Sequence, residues 1–564
     1  MTSTSRPVIE PGTIGPGPPC PQDPPTNPAH RQGCNVTVTF NGSTGTATLL
    51  GAWAGVWLID ALIRPRARRF PMLPMVRRLP MLRSLPGLAL LAAMASALYG
   101  GFLALTGNGA VAMALTLALQ GLFAVASNAK HAMLGEPLLF SDLALVGALF
   151  RHPQFYLSAV RVWQRVAVGL AALALVGAIT WLSRADPAAH LAGLALLAGG
   201  LAALRLARGW SRSAACSLAR VPDAAGDVRA LGLIPTILLY WWRWQDEADP
   251  APCPLPPRAA PATPPELVVV IQCESFADPR DLFGARGEAL PALEAARTAA
   301  FQWGNLEVSG FGAYTMRTEY GVLFGREEEA LGFRRYDPFL TALGEASYAL
   351  PARLPGWHAR FVHPHDMRFY GRDAIMPAGG FAELVGEEHF TPPGPGEGRY
   401  VTDAAMTEVI LDLAARTPGP DLLPGLLYAV TIENHGPWAP DARGGGKPDL
   451  VEGYMRLVRH GDAMLAALRE GLAALRRPAL LVFFGDHRPS IPGASVPPPE
   501  GAQGRRHTPY VMLRIGADGQ TITGENRRVD LSPAGLHHAV LDAVLGPVPG
   551  PVPGPAPGPA PGME

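Results

Sequence analysis

Several features that would narrow the function are scarce or missing in this chain of 564 residues. Lysine occurs only at Lys130 and Lys447, and the basic and acidic side chains number 47 each, so the formal net charge is zero. This balance gives no reason to expect a nucleic-acid partner, because nucleic-acid-binding domains carry clustered positive charge. The five cysteines show no CxxC spacing, which argues against a disulfide scaffold and against a zinc knuckle.

The ends of the chain also lack the pattern of a folded core. Residues 1–43 are rich in Pro, Gly, Thr and Asn and are predicted to form a disordered tail, and residues 546–564 a Pro/Gly-rich tail. No positive stretch leads directly into an apolar run near the start, so a cleaved signal peptide is not expected. Cys20 and Cys34 would pair only if the N-terminal tail lies outside the cytoplasm, and the sequence leaves this open.

Long hydrophobic runs, by contrast, fill the first half of the chain. They lie at about residues 44–63, 87–106, 109–127, 166–183 and 190–207, each close to the roughly 20 residues that a helix needs to cross a bilayer. Buried helices of a soluble bundle are the alternative, but repeated runs with charges confined to the gaps favour a membrane domain. We therefore predict a transmembrane domain of about five helices over residues 44–208.

Arginines after the first apolar run bear on the orientation of this domain. The loop contains Arg64, Arg66, Arg68, Arg69, Arg77, Arg78 and Arg83. Positively charged loops favour the cytoplasm, and five crossings would then leave the second half of the chain there. A sixth crossing at Ala230–Trp242 would place that half outside, but this run is short and contains Pro235. It equally fits an interfacial helix with Trp241, Trp242 and Trp244 at headgroup depth, so the sequence does not decide.

The second half of the chain has a different pattern. Residues 209–265 are predicted to hold the interfacial helix and a proline-rich linker, and residues 266–545 a separate domain. Short apolar runs typical of buried strands begin at Leu267, Gly425, Ala479 and Tyr510, with helix-like stretches between them. This alternation predicts an α/β domain with a largely parallel central sheet. The expected fold is thus an α-helical transmembrane bundle followed by an α/β domain.

Acidic residues and histidines follow three of these predicted strands. Glu274 comes after the first, Glu433 to His435 after the second, and Asp486 with His487 after the third. Any one of them alone is more often a cap or turn residue. Because ligands bind at the carboxyl ends of parallel strands, the three clusters together predict one site. Carboxylates and imidazoles are the groups that hold a divalent metal against a phosphate.

The segment 304–325, GNLEVSGFGAYTMRTEYGVLFG, supplies a candidate nucleophile. Its glycines surround Thr315, as expected where the backbone approaches a phosphate closely. A threonine hydroxyl is a poor nucleophile unless a metal ion or a base lowers its pKa. The alternative is that Thr315 is a helix N-cap, with Thr318 or Glu319 completing the first turn. The segment by itself does not distinguish the two.

Taken together, the motifs resemble those of a known family. QCES at 272–275, Thr315 followed by Glu319, NHGPW at 434–438 and GDHRP at 485–489 are similar to the lipoteichoic acid synthase and phosphoglycerol transferase family of the alkaline phosphatase–sulfatase superfamily. The likeness covers about residues 266–545 and extends to the sequences 128–130 and 136–142 in the membrane half. It implies an alkaline-phosphatase/sulfatase-like α/β domain.

The resemblance also implies roles for particular residues. Glu274, Thr315, Asp486 and His487 would bind one divalent metal ion, manganese or magnesium, with zinc as the alternative. Thr315 would also be the catalytic nucleophile. His435 would contact the phosphoryl oxygens or aid the leaving group.

A headgroup site is implied by the same resemblance. The segment Phe369–Asp373 is similar to the stretch that grips glycerol phosphate, with Arg372 on the phosphate and Tyr370 where a Trp is common. His363 and His507 are further candidates for substrate contacts, and each has a structural role as its alternative. Two departures, Gly371 in place of Asn and Glu433 in place of a small polar residue, concern the headgroup and the acceptor.

The implied reaction moves glycerol phosphate from phosphatidylglycerol to a glycan or polymer hydroxyl through a threonine-linked intermediate. The enzyme would lie in the bacterial inner membrane, among its lipids, with the catalytic domain on the extracytoplasmic side and no nucleic-acid partner. The alternatives are a phosphoethanolamine transferase and a sulfatase-like phosphodiesterase or hydrolase. A sulfatase would need a C/S-x-P-x-R motif, which Thr315–Arg317 does not match. An inactive membrane sensor is the remaining class, against which the intact set of metal ligands argues. Acceptor, metal and oligomeric state stay open.

Overall fold

The structure is a computed structural model that describes residues 42–548 except for 67–82, 144–161, 214–217, 259–260, 262, 395–397, 417–422, 437, 439–448 and 497–505. The two predicted tails, apart from their innermost residues, lie outside the described residues, as do Cys20, Cys34 and most of the arginine-rich loop. Nothing therefore tests a pairing of those two cysteines. The domain boundaries also stay predictions.

Apolar helices form the N-terminal part at the places where the hydrophobic runs predict them. They are α1 Gly42–Ala61, α2 Leu85–Thr106, α3 Gly109–Leu134, α4 Val162–Leu182 and α5 Pro187–Ser211. Three of them begin at polar caps, because the side chains of Ser84, Asn108 and Asp186 accept hydrogen bonds from backbone N–H groups of the first turn. In length and composition, α2, α3 and α5 are able to cross a membrane. The protein is thus a membrane protein, and the total of about five crossings stays a prediction.

Successive helices run in opposite directions. At one end of the bundle, the Arg184 N–H donates to the Thr106 carbonyl and the Asn108 amide to the Leu182 carbonyl, which joins the ends of α2 and α4. At the other end, the Asn128 side chain bonds to the backbone that follows α1. This second end also contacts the α/β domain. The described residues on either side of the gap at 67–82 therefore lie at the same end of the bundle as the α/β domain.

One of the loop arginines is a structural residue. Arg83 is buried and forms an ion pair with Asp60, with 2.8 Å between Nε and Oδ2. It also donates to the carbonyl oxygens of Val228 and Asp60. Its positive charge is neutralised inside the protein. Arg83 should therefore be left out when the arginines of this loop are counted to predict which side of the membrane the loop lies on.

Two shorter helices connect the bundle to the α/β domain, α6 Ala224–Leu231 and α7 Leu233–Asp246. With 14 residues, α7 is about 21 Å long, short of the roughly 30 Å apolar core of a bilayer. It is not among the described helices that are long and apolar enough to cross a membrane, and the number of crossings stays a prediction. Trp242 is buried and Trp244 stacks on Phe140, which leaves Trp241 as the exposed member of the three tryptophans.

The second half is built on a mixed sheet of nine strands in the described residues. The strands are β1 Leu267–Cys273, β2 Gln302–Glu307, β3 His358–Val362, β4 Glu383–Val385, β5 Gly425–Val430, β6 Ala479–Gly485, β7 His507–Ile515, β8 Thr521–Ile522 and β9 Arg527–Arg528. Their order is β4-β3-β5-β1-β6-β7-β2-β9, and β8 pairs with β7. The strands from β4 to β6 are parallel, whereas β7 is antiparallel to both β6 and β2. The predicted α/β fold with a largely parallel sheet is confirmed.

Helices cover both faces of this sheet. They are α8 Pro279–Phe283, α9 Pro291–Ala299, α10 Thr315–Phe324, α11 Pro338–Thr341, α12 Arg372–Ala378, α13 Asp403–Ala415, α14 Leu450–Ala474 and α15 Pro533–Leu545. Alternate residues of β1 pack into two separate clusters, one with α9, α13 and α14 and the other with α10, α12 and α15. Burial on both faces explains why β1 is apolar at every position from Leu267 to Ile271.

Candidate active site

The strands that precede the predicted clusters are neighbours in the sheet. β1 lies between β5 and β6, and all three are parallel. Cys273 is level with Gly485, so Glu274 and Asp486 leave the sheet side by side. Adjacent parallel strands thus bring together residues that are more than two hundred positions apart, as the sequence pattern predicts.

Gly485 permits this close approach. A Cβ atom at this position would lie 1.8 Å from the carbonyl oxygen of Phe276, in the chain that turns away from β1. That distance is far inside van der Waals contact, so any larger residue has to push the two strand ends apart.

Replacing Gly485 with alanine should therefore destabilise the protein by about 3 kcal/mol and weaken divalent-metal binding, since overpacking a rigid backbone contact carries costs of this size. Thermal unfolding and manganese titration of the full chain measure both effects. Gly199→Ala is the matched control, because no heavy atom lies within 4 Å of its Cβ position. If Gly485→Ala unfolds like the parent and binds manganese equally well, the close approach is not required.

A compact group of metal-binding side chains lies at this sheet edge. Glu274, Asp486 and His487 each offer one ligand atom, and these three atoms lie within 4.8 Å of one another. All three residues are buried. His487 Nε2 is 3.4 Å from Glu274 Oε1 and 3.8 Å from Asp486 Oδ2. Ser275 holds the two carboxylates in place, because its N–H donates to Asp486 Oδ1 and its hydroxyl to Glu274 Oε1.

The electrostatics of the group are those of a cation site. Burial raises the pKa of Asp486, and the negative charge of Glu274 adds to that rise. Burial acts the same way on Glu274, but the adjacent His487 outweighs it and lowers the pKa of Glu274. Burial would lower the pKa of His487, yet the two carboxylates raise it. Two acids and one imidazole thus share a buried space that favours positive charge.

The donor set fits a divalent metal ion. Asp486 Oδ2 is buried and accepts no hydrogen bond from the part of the chain that the structure describes. Buried carboxylate oxygens normally have a partner, so this one is placed for a group outside the protein chain. Mixed oxygen and imidazole ligands suit manganese, magnesium and zinc.

Thr315 is the first residue of α10 and lies beside the cluster. Tyr314 occupies the cap position, so the interpretation of Thr315 as an N-cap is wrong. Thr315 is buried, and the interaction of its hydroxyl with the Asp486 carboxylate opposes the burial-driven rise in the pKa of that carboxyl. The hydroxyl therefore faces the candidate metal ligands from the positive end of a helix, where anions bind.

The backbone before Thr315 is strained. Tyr314 has φ 77° and ψ 31°, a left-handed conformation that costs a non-glycine residue about 1–3 kcal/mol. Such strain persists where the surroundings enforce it, and it fixes the direction in which the next side chain points. Thr318 strengthens the arrangement, because its hydroxyl donates to the backbone carbonyl of Asp486 over 2.8 Å.

His435 lies on the open side of the site. Its imidazole is exposed, and Nδ1 is 2.8 Å from the carbonyl oxygen of Gly436. The ring packs edge-on against Tyr400, with 5.6 Å between ring centroids. Its positive charge, when present, contributes to the lowered pKa of Glu274, so it is within electrostatic reach of the metal ligands.

The four predicted substrate-binding residues all have partners inside the protein. Buried Arg372 donates through Nε and Nη2 to Glu319, at 3.0 and 2.6 Å, and its guanidinium lies 5.3 Å from the Tyr370 ring centroid. His363 is buried with Nδ1 2.9 Å from the Val430 carbonyl oxygen. Burial and the nearby Arg372 charge lower the pKa of His363 well below its usual value, so the ring is neutral.

His507 differs from the other three in its position. It starts β7, away from the headgroup segment, and its Nε2 is 2.9 Å from Asp281 and 3.1 Å from Arg488. This supports the alternative of a structural contact. Roles in substrate binding stay predictions for His507, His363, Tyr370 and Arg372.

Comparison with known proteins identifies the family of the second half of the chain. Residues 266–544 match the sulfatase family model. This part of the chain is a sulfatase-family domain. The predicted membership of the alkaline phosphatase–sulfatase superfamily is confirmed, and with the apolar helices it makes the protein a membrane enzyme of that superfamily.

Individual relatives match different shares of this chain. A capsular polysaccharide biosynthesis protein, RkpI, of Rhizobium meliloti (strain 1021) is 28% identical in an alignment of 438 residues, which covers 74% of this chain and 81% of that protein. The phosphoglycerol transferase GacH of Streptococcus pyogenes gives a TM-score of 0.39 at 17% identity, over 49% of this chain and 74% of its own. The lipooligosaccharide phosphoethanolamine transferase EptA of Neisseria meningitidis gives a TM-score of 0.48 at 14% identity, over 90% of this chain and 95% of its own.

The sulfatase-family domain also contains supporting residues that the sequence analysis missed. Ser275 has a left-handed φ of 51°, which turns its N–H toward Asp486. Thr431 accepts a hydrogen bond from the Glu274 N–H, over 3.0 Å. Both lie within or beside the motifs already singled out, and this proximity is the feature of the sequence that could have indicated them.

Glu433 bonds to the Asp403 N–H and to His460, each over 2.7 Å, and so holds the start of α13.

Proposed function

We propose that this protein is a membrane-bound phosphoglycerol transferase, which moves glycerol phosphate from phosphatidylglycerol to a glycan or polymer hydroxyl. The observation that carries the proposal is the convergence of Glu274, Asp486 and His487 beside the hydroxyl of Thr315. A hydroxyl nucleophile next to a cation site is the arrangement that covalent phosphoryl transfer requires.

Glu274, Asp486 and His487, together with Thr315, would hold one divalent ion, manganese or magnesium, with zinc as the alternative. When bound, such an ion lowers the pKa of a neighbouring hydroxyl and offsets negative charge on the phosphate oxygens. Ser275 keeps both carboxylates aimed at the same point.

In the first half of the reaction, Thr315 Oγ1 attacks the phosphorus of phosphatidylglycerol and its proton passes to water. The bond between phosphorus and the diacylglycerol oxygen breaks, and that oxygen takes a proton from His435 Nε2. Nδ1 of His435 is engaged with the Gly436 carbonyl, which leaves Nε2 for this exchange. A glycerophosphoryl group remains on Thr315, and the N-terminus of α10 favours its negative charge.

In the second half, the acceptor hydroxyl attacks the same phosphorus and gives its proton to His435 Nε2. The bond between phosphorus and Thr315 Oγ1 breaks, and Oγ1 takes back a proton from water, which regenerates the threonine. The exposed position of His435 suits this role, because a bulky glycan has to reach the site from solvent.

The headgroup segment favours neutral glycerol over the ammonium of ethanolamine. Two acids beside this segment are engaged by arginines, Asp366 by Arg368 and Glu319 by Arg372, whereas Asp373 within the segment is exposed to solvent. An ammonium headgroup would need a carboxylate of its own, whereas glycerol hydroxyls need hydrogen-bond partners such as Tyr370. Cys253 and Cys273 are free, which also differs from the disulfide-stapled domains of phosphoethanolamine transferases.

We infer that the acceptor is a cell-envelope polysaccharide and that the catalytic domain lies on the extracytoplasmic side of the inner membrane. The relative named for capsular polysaccharide biosynthesis, similar over 74% of this chain, supports the acceptor class. The arginines after α1 would then lie outside as well. The burial of Arg83 in an ion pair weakens the opposing signal from that loop.

The decisive experiment offers the full-length protein two donors. Vesicles contain phosphatidylglycerol or phosphatidylethanolamine with a labelled headgroup, and a soluble glucan and manganese are added. We expect label to pass from phosphatidylglycerol to the glucan, at least about tenfold faster than from phosphatidylethanolamine, since a mismatched polar headgroup leaves buried groups unpaired. Faster transfer from phosphatidylethanolamine would reverse the headgroup assignment, and release of free glycerol phosphate alone would indicate a phosphodiesterase.

A further inference from the structure

One ion pair connects the membrane domain to the helix of the nucleophile. Glu136, two residues after α3, accepts hydrogen bonds from both terminal nitrogens of Arg317, at 2.7 and 3.0 Å. Arg317 belongs to the first turn of α10, two residues after Thr315, and its side chain is only 4% exposed. Its Nε donates to the Tyr336 carbonyl, so the guanidinium is held at three points.

The same guanidinium covers the residue before the nucleophile. Its carbon lies 3.8 Å from the centroid of the Tyr314 ring, a cation–π contact. The ammonium of Lys130, in α3, lies 5.4 Å from the same centroid and pairs with Asp142. Both cations that contact Tyr314 are thus neutralised by acids from the membrane half of the chain.

Tyr314 has a strained backbone conformation that neighbouring contacts must stabilise. Its left-handed conformation is unfavourable for a tyrosine and persists only where neighbouring contacts enforce it. Because Tyr314 directly precedes Thr315, relaxation of this turn would redirect the threonine hydroxyl. The contacts that enforce the turn end at Glu136 and Asp142, outside the sulfatase-family domain.

We propose that Glu136 is a positioning residue for Thr315. Through Arg317, the membrane domain holds the turn at Tyr314 in the conformation that aims the hydroxyl at the metal ligands. The inference rests on the proposed function, in which Thr315 is the nucleophile. It implies that transfer depends on the docking of the sulfatase-family domain on α3.

The test removes the ion pair without leaving a buried charge alone. The full-length double variant Glu136→Gln with Arg317→Met replaces the pair with neutral side chains, a change that often leaves stability unaltered. We expect kcat to fall about 100-fold, since misplacement of a reacting group by about 1 Å has that effect. The KM for phosphatidylglycerol and the affinity for manganese should remain close to those of the parent. The parental kcat in a folded double variant would overturn the proposal.

Glu247→Gln is the matched control. Glu247, directly after α7, accepts a hydrogen bond from the Phe333 N–H and pairs with Arg334, so it joins the connecting segment to the sulfatase-family domain away from Thr315. It should keep the parental kcat, and an equal fall would mean that general docking, not positioning, is responsible. Thr315→Ala in the same assay separates the two ideas. If Thr315→Ala still transfers, the proposed function fails, whereas if only the double variant transfers normally, the positioning role alone fails.

Discussion

Replacing Thr315 with alanine should abolish phosphoglycerol transfer while the divalent-metal site stays intact. The variant loses the protein oxygen proposed to attack phosphorus, and the loss of a nucleophile lowers turnover by about 10⁴-fold or more. Three of the four proposed ligands, Glu274, Asp486 and His487, are unchanged and remain supported by Ser275. Transfer of labelled headgroup to glucan, and metal content of the purified full-length protein, measure the two expectations.

Thr315→Ser is the control for this substitution, since serine keeps the hydroxyl and should retain part of the activity. A second measurement omits the acceptor. The parent should then accumulate labelled glycerophosphate on the protein, and Thr315→Ala should carry none. Continued transfer by the alanine variant would mean that another group attacks the phosphorus.

Much of this site can be predicted from the sequence, because the ends of buried strands can be recognised there. A strand buried on both faces is apolar throughout, so β1, β5 and β6 stand out, and the polar residues directly after them stand out as well. Parallel neighbours place those residues at one edge, which is why Glu274 and Asp486 were expected to meet. Periodicity and the geometry of parallel sheets suffice for this step.

Ion pairs between residues far apart in the chain cannot be predicted from the sequence in this way. Arg372 was expected to hold a phosphate, yet in the structure it is bound at two points to Glu319. Glu136 and Arg317 are 181 residues apart, and although the family resemblance includes residues 136–142, no local pattern indicates that these two side chains pair. The partner of an arginine depends on tertiary packing that no local pattern encodes.

Backbone conformation is the other gap. The glycines around Thr315 predict a backbone that approaches a phosphate closely, but the residue directly before Thr315 that adopts the left-handed conformation is Tyr314. A tyrosine rarely adopts this conformation, so sequence preference argues against it. Contacts from Arg317 and Lys130 override that preference, and they become visible only in three dimensions.

Replacing Asp486 with asparagine should remove divalent-metal binding and transfer, while the metal-free protein becomes no less stable. Asparagine keeps an oxygen to accept the Ser275 N–H and removes a buried negative charge next to Glu274. Changes to residues that merely orient metal ligands cost 10–100-fold in affinity, so loss of a ligand should weaken manganese binding by at least about 100-fold. Thermal unfolding with and without manganese measures the effect, because an ion at 100 times its Kd stabilises the parent by about 2.7 kcal/mol.

Asp462→Asn should show the opposite behaviour, because it changes a buried acid outside the site. Both carboxylate oxygens of Asp462 accept backbone hydrogen bonds, from the Ala292 and Leu293 N–H groups at 2.9 and 2.8 Å. Asparagine would turn an NH₂ group toward one of those donors, so this variant should lose about 1–3 kcal/mol of stability and still respond to manganese. Asp486 Oδ2 accepts no such hydrogen bond within the described residues and would instead bind the proposed cation. An Asp486→Asn protein that manganese still stabilises like the parent would remove the metal site from the mechanism.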